Sequence, residues 1–155
     1  MFIGDLLDAR AVWAKASGGT KRQVLSAAAD AAARLFDLDA QTVLDALLER
    51  EAAGSTGVGY GVAVPHARMP GLDRPRAMFI RLEAPVAFEA LDGQPVDLLF
   101  VLLSPEDSGV DHLRALARIS RLMRQAELRA QLRLARSPEA ILALLGRDDA
   151  QPSAA

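Results

Sequence analysis

Apolar and polar positions alternate along the chain in three regimes. Thr20-Lys21-Arg22-Gln23 has the spacing of a capping box, in which a hydroxyl and a carboxamide satisfy free amides at a helix start. Beyond it Val24, Leu25, Ala28, Ala32, Leu35 and Phe36 recur at the helical period. Asp39 can cap a second helix that carries Val43, Leu44, Leu47 and Leu48 and stops at Gly54. Upstream, Val12-Trp13-Ala14 reads as a short first strand. The middle of the chain changes period: residues 62–64, 77–82 and 96–103 are short apolar runs bounded by Gly, Pro and Asp, and read as strands. The last run is nearly all apolar, as expected of a strand covered on both faces. Asp92-Gly93 marks a turn. After Pro105 the helical period returns. Leu113, Leu116, Ala117, Ser120 and Met123 line one face of a helix over 111–124, a short helix follows over 127–136, and Ser137-Pro138-Glu139 starts another that ends at Gly146. The order is strand, two helices, strands, then helices. Helices on both sides of a central sheet bury such a core most simply, so the expected class is α/β.

Composition narrows this picture. With 155 residues, 51% hydrophobic and 25% charged, the chain is one ordinary globular domain, and wholly disordered or fibrous classes are excluded. No repeat or linker divides it; 1–146 is the expected domain and 147–155 a flexible tail. A net charge of -2 argues against nucleic-acid binding by bulk charge, yet leaves room for a local site for an acidic ligand. No cysteine is present, which excludes disulfides, thiolate catalysis and cysteine-based zinc sites and is compatible with a reducing cytoplasm. The start of the chain lacks a basic segment followed by an apolar run, and the longest apolar run, 98–103, is too short to span a bilayer. The expectation is a cytoplasmic protein without membrane insertion.

The segment 49–68 is not explained as core. Glycines at 54, 57, 59 and 61 crowd eight positions, and glycine permits close approach of a ligand or another backbone at an entropic cost. A nucleotide loop fails: Tyr60 and Gly61 stand where a P-loop needs Lys and Ser/Thr, and Val62 breaks the dinucleotide fingerprint. An irregular loop leading into a strand would account for the glycines alone. The further feature is His66, which follows Pro65 and precedes Arg68; proline stiffens the approach and presents the imidazole from a rigid edge. Such a histidine is either a surface residue or a group that titrates near neutrality and acts as a nucleophile. His112, after Asp111 near a helix start, is either a first-turn polar residue or a partner for a nearby anion. Arg50, between Glu49 and Glu51, is either a surface ion pair or a guanidinium aimed at a phosphate. Two histidines with scattered carboxylates make a poor metal site, and none is expected.

The run from Leu48 to Gly59, the Gly-Val-Ala-Val-Pro-His-Ala-Arg ending at Arg68, the stretch Phe88-Glu89-Ala90-Leu91-Asp92-Gly93-Gln94-Pro95-Val96-Asp97-Leu98-Leu99 and the segment Asp111-His112-Leu113-Arg114-Ala115-Leu116-Ala117 together resemble the enzyme IIA domains of the fructose/mannitol class of the bacterial phosphotransferase system, within it the stand-alone nitrogen-regulatory type. The resemblance covers 3–146. It implies a three-layer α/β/α sandwich around a mixed sheet. It implies that His66 is transiently phosphorylated by a phosphohistidine on an HPr-like carrier, that His112 and Arg50 are the second histidine and the arginine of the active site, and that Ser55 and Thr56 lie beside the phosphate. No metal or nucleotide cofactor is implied. Tyr60 departs from the family's usual asparagine, and Ala67 from a common glycine.

Three functions follow from that resemblance and those departures. The first is a phosphoryl-carrier regulator whose phosphorylation state is signalled to partners such as potassium transporters or sensor kinases. A sugar-specific component passing its phosphate to a IIB domain is the second; a chain ending near 155, with no fused carrier or membrane domain, leans away from it. The third is a binding module whose histidine is not phosphorylated, motivated by Tyr60.

Overall fold

The computed structural model describes residues 1–150, in which a six-stranded mixed sheet lies between two sets of helices. A helical turn α1 (Ile3–Leu6) runs into β1 (Leu7–Ala16), followed by α2 (Lys21–Phe36) and α3 (Ala40–Ala52). Next come β2 (Gly57–Gly59), β3 (Val62–Ala63), β4 (His66–Met69), β5 (Arg76–Val86) and β6 (Val96–Pro105). The chain closes with α4 (Gly109–Met123), α5 (Ala126–Leu134), α6 (Pro138–Leu145) and α7 (Arg147–Ala150). Strands lie in the order β1-β5-β6-β3-β2, with β4 pairing the same edge of β6 beyond β3. The β1/β5, β3/β6 and β4/β6 pairs are parallel; β5/β6 and β2/β3 are antiparallel. The expected α/β sandwich around a mixed sheet is the observed fold.

Its interior follows from the apolar runs. Every residue of β6 except Asp97 is buried, as a central strand with helices over both faces requires. Phe79 and Phe100 pair in register on β5 and β6 with rings edge to face, centroids 5.6 Å apart. α2 packs on α3, and α3 packs beside β4; α4, α5 and α6 form the second set, α4 on β6 and α6 on β1. The caps are those the sequence specifies. The Thr20 hydroxyl accepts from the Gln23 amide while the Gln23 carboxamide accepts from the Thr20 amide, Asp39 accepts from the Thr42 amide, and Ser137 accepts from the Ala140 amide ahead of Pro138.

Four local features differ from the sequence reading. β1 extends over ten residues, because Asp8 and Arg10 pair with each other on its exposed side and so hide the strand's apolar alternation. The glycine-rich segment is a hairpin, β2–β3, turned by Gly59, Tyr60 and Gly61, all with positive φ (106, 59 and 76°). Tyr60 there is in the left-handed region that asparagine tolerates better, a conformation costing about 1 kcal/mol. The turn is held from three sides. The Tyr60 amide donates to Asp92, Arg133 donates to the Tyr60 carbonyl, and the Arg129 guanidinium lies 4.4 Å from the centre of the Tyr60 ring. Third, α4 buries His112, Ala115, Ile119, Leu122 and Met123 and leaves Leu113 exposed, so its inner face is rotated from the expected stripe. Both stripes have helical spacing; Leu113 and Leu116 instead border an open cleft. Finally, 147–150 form a helical turn where the tail was expected to begin, and Asp149 accepts hydrogen bonds from the Ile3 and Gly4 amides. The rest of that tail, 151–155, lies outside the described residues. Among the described residues no helix is long and apolar enough to cross a membrane.

Candidate active site

β3 and β4 run along one edge of β6 with a break at Val64-Pro65. Proline has no N–H for the ladder, but its carbonyl still accepts from the Leu102 amide at 2.9 Å. The strand therefore resumes at His66, opposite Leu102, with Arg68 opposite Ser104. In-register partners share a face, so His66, Arg68 and Ser104 project to the same side. The end of α3 brings Arg50 to this point and the first turn of α4 brings His112. An open cleft of about 470 Å³ results, lined by Ala46, Glu49, Arg50, His66, Arg68 and His112 among others.

His66 is half-buried and held on both ring nitrogens. Nδ1 lies 2.8 Å from the Val64 carbonyl oxygen. A carbonyl only accepts, so Nδ1 carries the proton and Nε2 holds a lone pair. Onto that lone pair the Arg50 Nε–H donates at 3.1 Å, while Arg50 Nη1 donates to the Gly54 carbonyl at 2.8 Å. Burial is the main cause that pushes the His66 pKa below its ordinary value; the Val64 carbonyl opposes this and the Arg50 charge adds to it. The ring of His112 stands 5.6 Å from that of His66, tilted by 48°. His112 is buried, with Nδ1 2.7 Å from the Ser104 hydroxyl. Burial, then the charges of Arg68 and His66, lower its pKa to about 4.

The structure thus brings together His66, His112 and Arg50, the residues singled out from the sequence. Ser55 and Thr56 are not in the cleft wall. The Ser55 hydroxyl donates to the Phe88 carbonyl at 2.8 Å, and the buried Thr56 gives both its hydroxyl and its amide to the Glu51 carboxylate. The carboxylate is also paired with Lys21 at 2.9 Å, and Lys21 in turn donates to the Phe88 carbonyl and lies over the Phe88 ring. These groups anchor the loop whose Gly54 carbonyl orients Arg50. Sequence reasoning missed Glu51, Lys21 and Ser104 as contributors. A lone hydroxyl at the end of the apolar run of β6 was the one local sign of Ser104. Among the described residues no cluster of three or more metal-ligating side chains is present.

Burial favours the neutral form of both histidines, and this sets a pH dependence. An unfolded imidazole takes up its proton near 6.5, so below that value the unfolded chain binds more protons than the folded one. Stability is fully present above pH 6.5 and is lost as pH falls toward the folded-state pKa, about 4 for His112. Calorimetry between pH 7 and 4 is expected to show a falling Tm, with a shallower fall in His112→Gln. Equal slopes in the two proteins would show that His112 does not carry the effect.

Comparison with known proteins adds independent findings. The family model described as "Phosphoenolpyruvate-dependent sugar phosphotransferase system, EIIA 2" matches residues 5–147. A nitrogen regulatory protein of Bradyrhizobium diazoefficiens is 45% identical over 145 residues, covering 94% of this chain and 95% of that protein. A fructose-specific EIIA component of Haloferax volcanii is 40% identical over 110 residues, 71% of this chain and 70% of that one. Among solved structures, the nitrogen regulatory protein IIA-Ntr of Neisseria meningitidis superposes with a TM-score of 0.87 at 36% identity, over 92% of this chain and 98% of that chain.

Proposed function

The chain belongs to the EIIA 2 family of the phosphoenolpyruvate-dependent sugar phosphotransferase system, and from that premise we propose that it relays a phosphoryl group through Nε2 of His66. The observation that carries this reading is the hydrogen bond from Nδ1 to the Val64 carbonyl, which fixes the tautomer and leaves the lone pair of Nε2 facing the cleft. The donor is a phosphohistidine on an HPr-like carrier. The Nε2 lone pair attacks phosphorus in line; a new N–P bond forms, the donor's N–P bond breaks, and the donor imidazole leaves with that electron pair. His66 becomes an N-phosphorylated imidazolium whose Nδ1–H remains on the Val64 oxygen. Its lowered pKa keeps the lone pair available at neutral pH.

Catalysis here is positioning and charge stabilisation. The Arg50 guanidinium turns off Nε2 as the donor arrives, and its N–H groups meet the phosphoryl oxygens in charge-assisted bonds. The His112 Nε2 side faces the same cleft and can donate to those oxygens. Arg50→Ala and His112→Ala are each expected to lower the labelling rate about 100-fold while leaving the domain folded. Wild-type rates in stopped-time labelling would remove both residues from the site.

The bound phosphoryl group adds about two negative charges beside the contact surface, enough to change which partners dock. We read the chain as a cytoplasmic regulator of the nitrogen-regulatory type, signalling its phosphorylation state to transporters or sensor kinases; the relatives named nitrogen regulatory protein support this. The similarity to a fructose-specific component supports a second reading, transfer onward to a IIB domain of a fructose/mannitol-type transporter. Incubation with phosphorylated carrier tests the relay: an acid-labile label on wild type is the expected result, and an unlabelled protein leaves only a non-phosphorylated binding module. Chasing the label with a IIB domain separates the two relay readings, since only the sugar-specific component discharges rapidly.

A further inference from the structure

The Ser104 hydroxyl and His112 Nδ1 form a contact that the relay chemistry above does not use. Both residues are buried, at 0% and 4% exposure, and their polar atoms lie 2.7 Å apart. Two proton arrangements fit that distance. If Nδ1–H donated to the serine oxygen, the serine's own proton would need another acceptor, and among the described residues its hydroxyl has no other side-chain or backbone partner. A buried hydroxyl proton left without an acceptor is costly. If the serine O–H donates to Nδ1, both buried groups of the contact are satisfied, and the ring's one proton sits on Nε2. Among the described residues that nitrogen has no hydrogen-bond partner, and it is not sealed from solvent. It therefore faces the cleft with an N–H rather than a lone pair.

We infer that Ser104 is a positioning residue that fixes the Nε2–H tautomer of His112, so that the second histidine meets the transferring group as a hydrogen-bond donor and not as a competing nucleophile. This rests on the relay reading. It adds to it a division of labour between two imidazoles 5.6 Å apart. The Val64 carbonyl, an acceptor, holds the ring proton of His66 on Nδ1 and leaves its Nε2 bare. The Ser104 hydroxyl, a donor, occupies the Nδ1 lone pair of His112 and keeps the ring proton on Nε2. Opposite partners on equivalent nitrogens make one ring a nucleophile and the other a stabiliser of the oxyanion charge that builds on the phosphoryl group. The placement of Ser104 is set by the sheet. It is the in-register neighbour of Arg68 on β4, directly beneath the first turn of α4.

The test reads protonation and rate separately. Nitrogen-15 spectra of the wild-type side chains above pH 7 are expected to show His112 protonated on Nε2 and His66 protonated on Nδ1; a His112 Nδ1–H signal overturns the inference. Labelling by phosphorylated carrier is expected to slow about ten-fold in Ser104→Ala, short of the roughly hundred-fold loss on deleting a preorganised donor. Ser104→Thr, which keeps the hydroxyl, is expected to restore the rate. A wild-type rate in Ser104→Ala, or a Ser104→Thr protein as slow as Ser104→Ala with the same Tm, also overturns it. Should Ser104→Ala fail to fold, the wild-type spectrum still decides the tautomer. Wild type that takes no label at all defeats the relay reading, and with it the role given to Ser104; a labelled wild type with the wrong tautomer defeats this inference alone.

Discussion

His66→Ala is expected to take up no acid-labile phosphoryl group from a phosphorylated carrier, a loss of at least about 10⁴-fold, while its Tm stays near that of wild type. The reason for the first half is geometric. Only Nε2 of His66 carries an unprotonated imidazole nitrogen into the cleft by virtue of a fixed partner, the Val64 carbonyl on its opposite nitrogen. Arg50 and Arg68, the cationic neighbours, are not nucleophiles at neutral pH. The second half follows from where the ring sits. His66 is half-buried at a cleft wall, so removing it frees the Val64 carbonyl and the Arg50 Nε–H toward water rather than sealing them in an apolar core. Loss of two such exposed bonds costs about 1 kcal/mol. Label uptake followed by acid treatment, with thermal unfolding of the same sample, checks both halves. Label retained at wild-type level would move the nucleophile elsewhere.

Lys21→Ala is expected to cost about 2–3 kcal/mol, a fall in Tm of about 5–10 °C for a domain of this size. The Glu51 side chain is only 5% exposed and that of Lys21 19%. With the ammonium gone, the carboxylate remains buried with the Thr56 hydroxyl and amide as its only partners among the described residues. A fully buried pair would cost more; the partial exposure of Lys21 sets the smaller figure. A Lys21→Met/Glu51→Gln double variant should regain part of the loss, because no charge is then left inside. Denaturant melts of both decide the matter, and a loss below about 0.5 kcal/mol in Lys21→Ala would mean the pair behaves as a surface one. The single variant should also label more slowly, since the loop that seats Arg50 through the Gly54 carbonyl is tied down by this carboxylate.

What could be read from the sequence was local. The Thr20 capping box, the Asp39 and Ser137 caps and the apolar run of β6 are interactions within four residues or patterns of one strand, and each appears where expected. The extent of β1, the buried face of α4 and the β2–β3 hairpin depend on what packs against them, and periodicity could not choose among equal stripes. The same division holds at the site. His66, Arg50 and His112 are visible as residue types at motif positions. Their protonation is not, because it is set by Val64 across a proline and by Ser104 eight residues away on another element. Ser55 and Thr56 show the converse: their motif positions do not announce the bonds that their side chains make to Phe88 and Glu51.

The Arg50 Nε–H resting on the His66 lone pair has a consequence for selectivity. An uncharged acylating agent drifting into the cleft finds the nitrogen already capped, and has no negative charge to draw the guanidinium aside. A docked macromolecule presenting a phosphoryl dianion supplies the competing charge at the moment it is needed. On the relay reading the reactive atom is uncovered by the charge of the group it receives, and stays capped between visits.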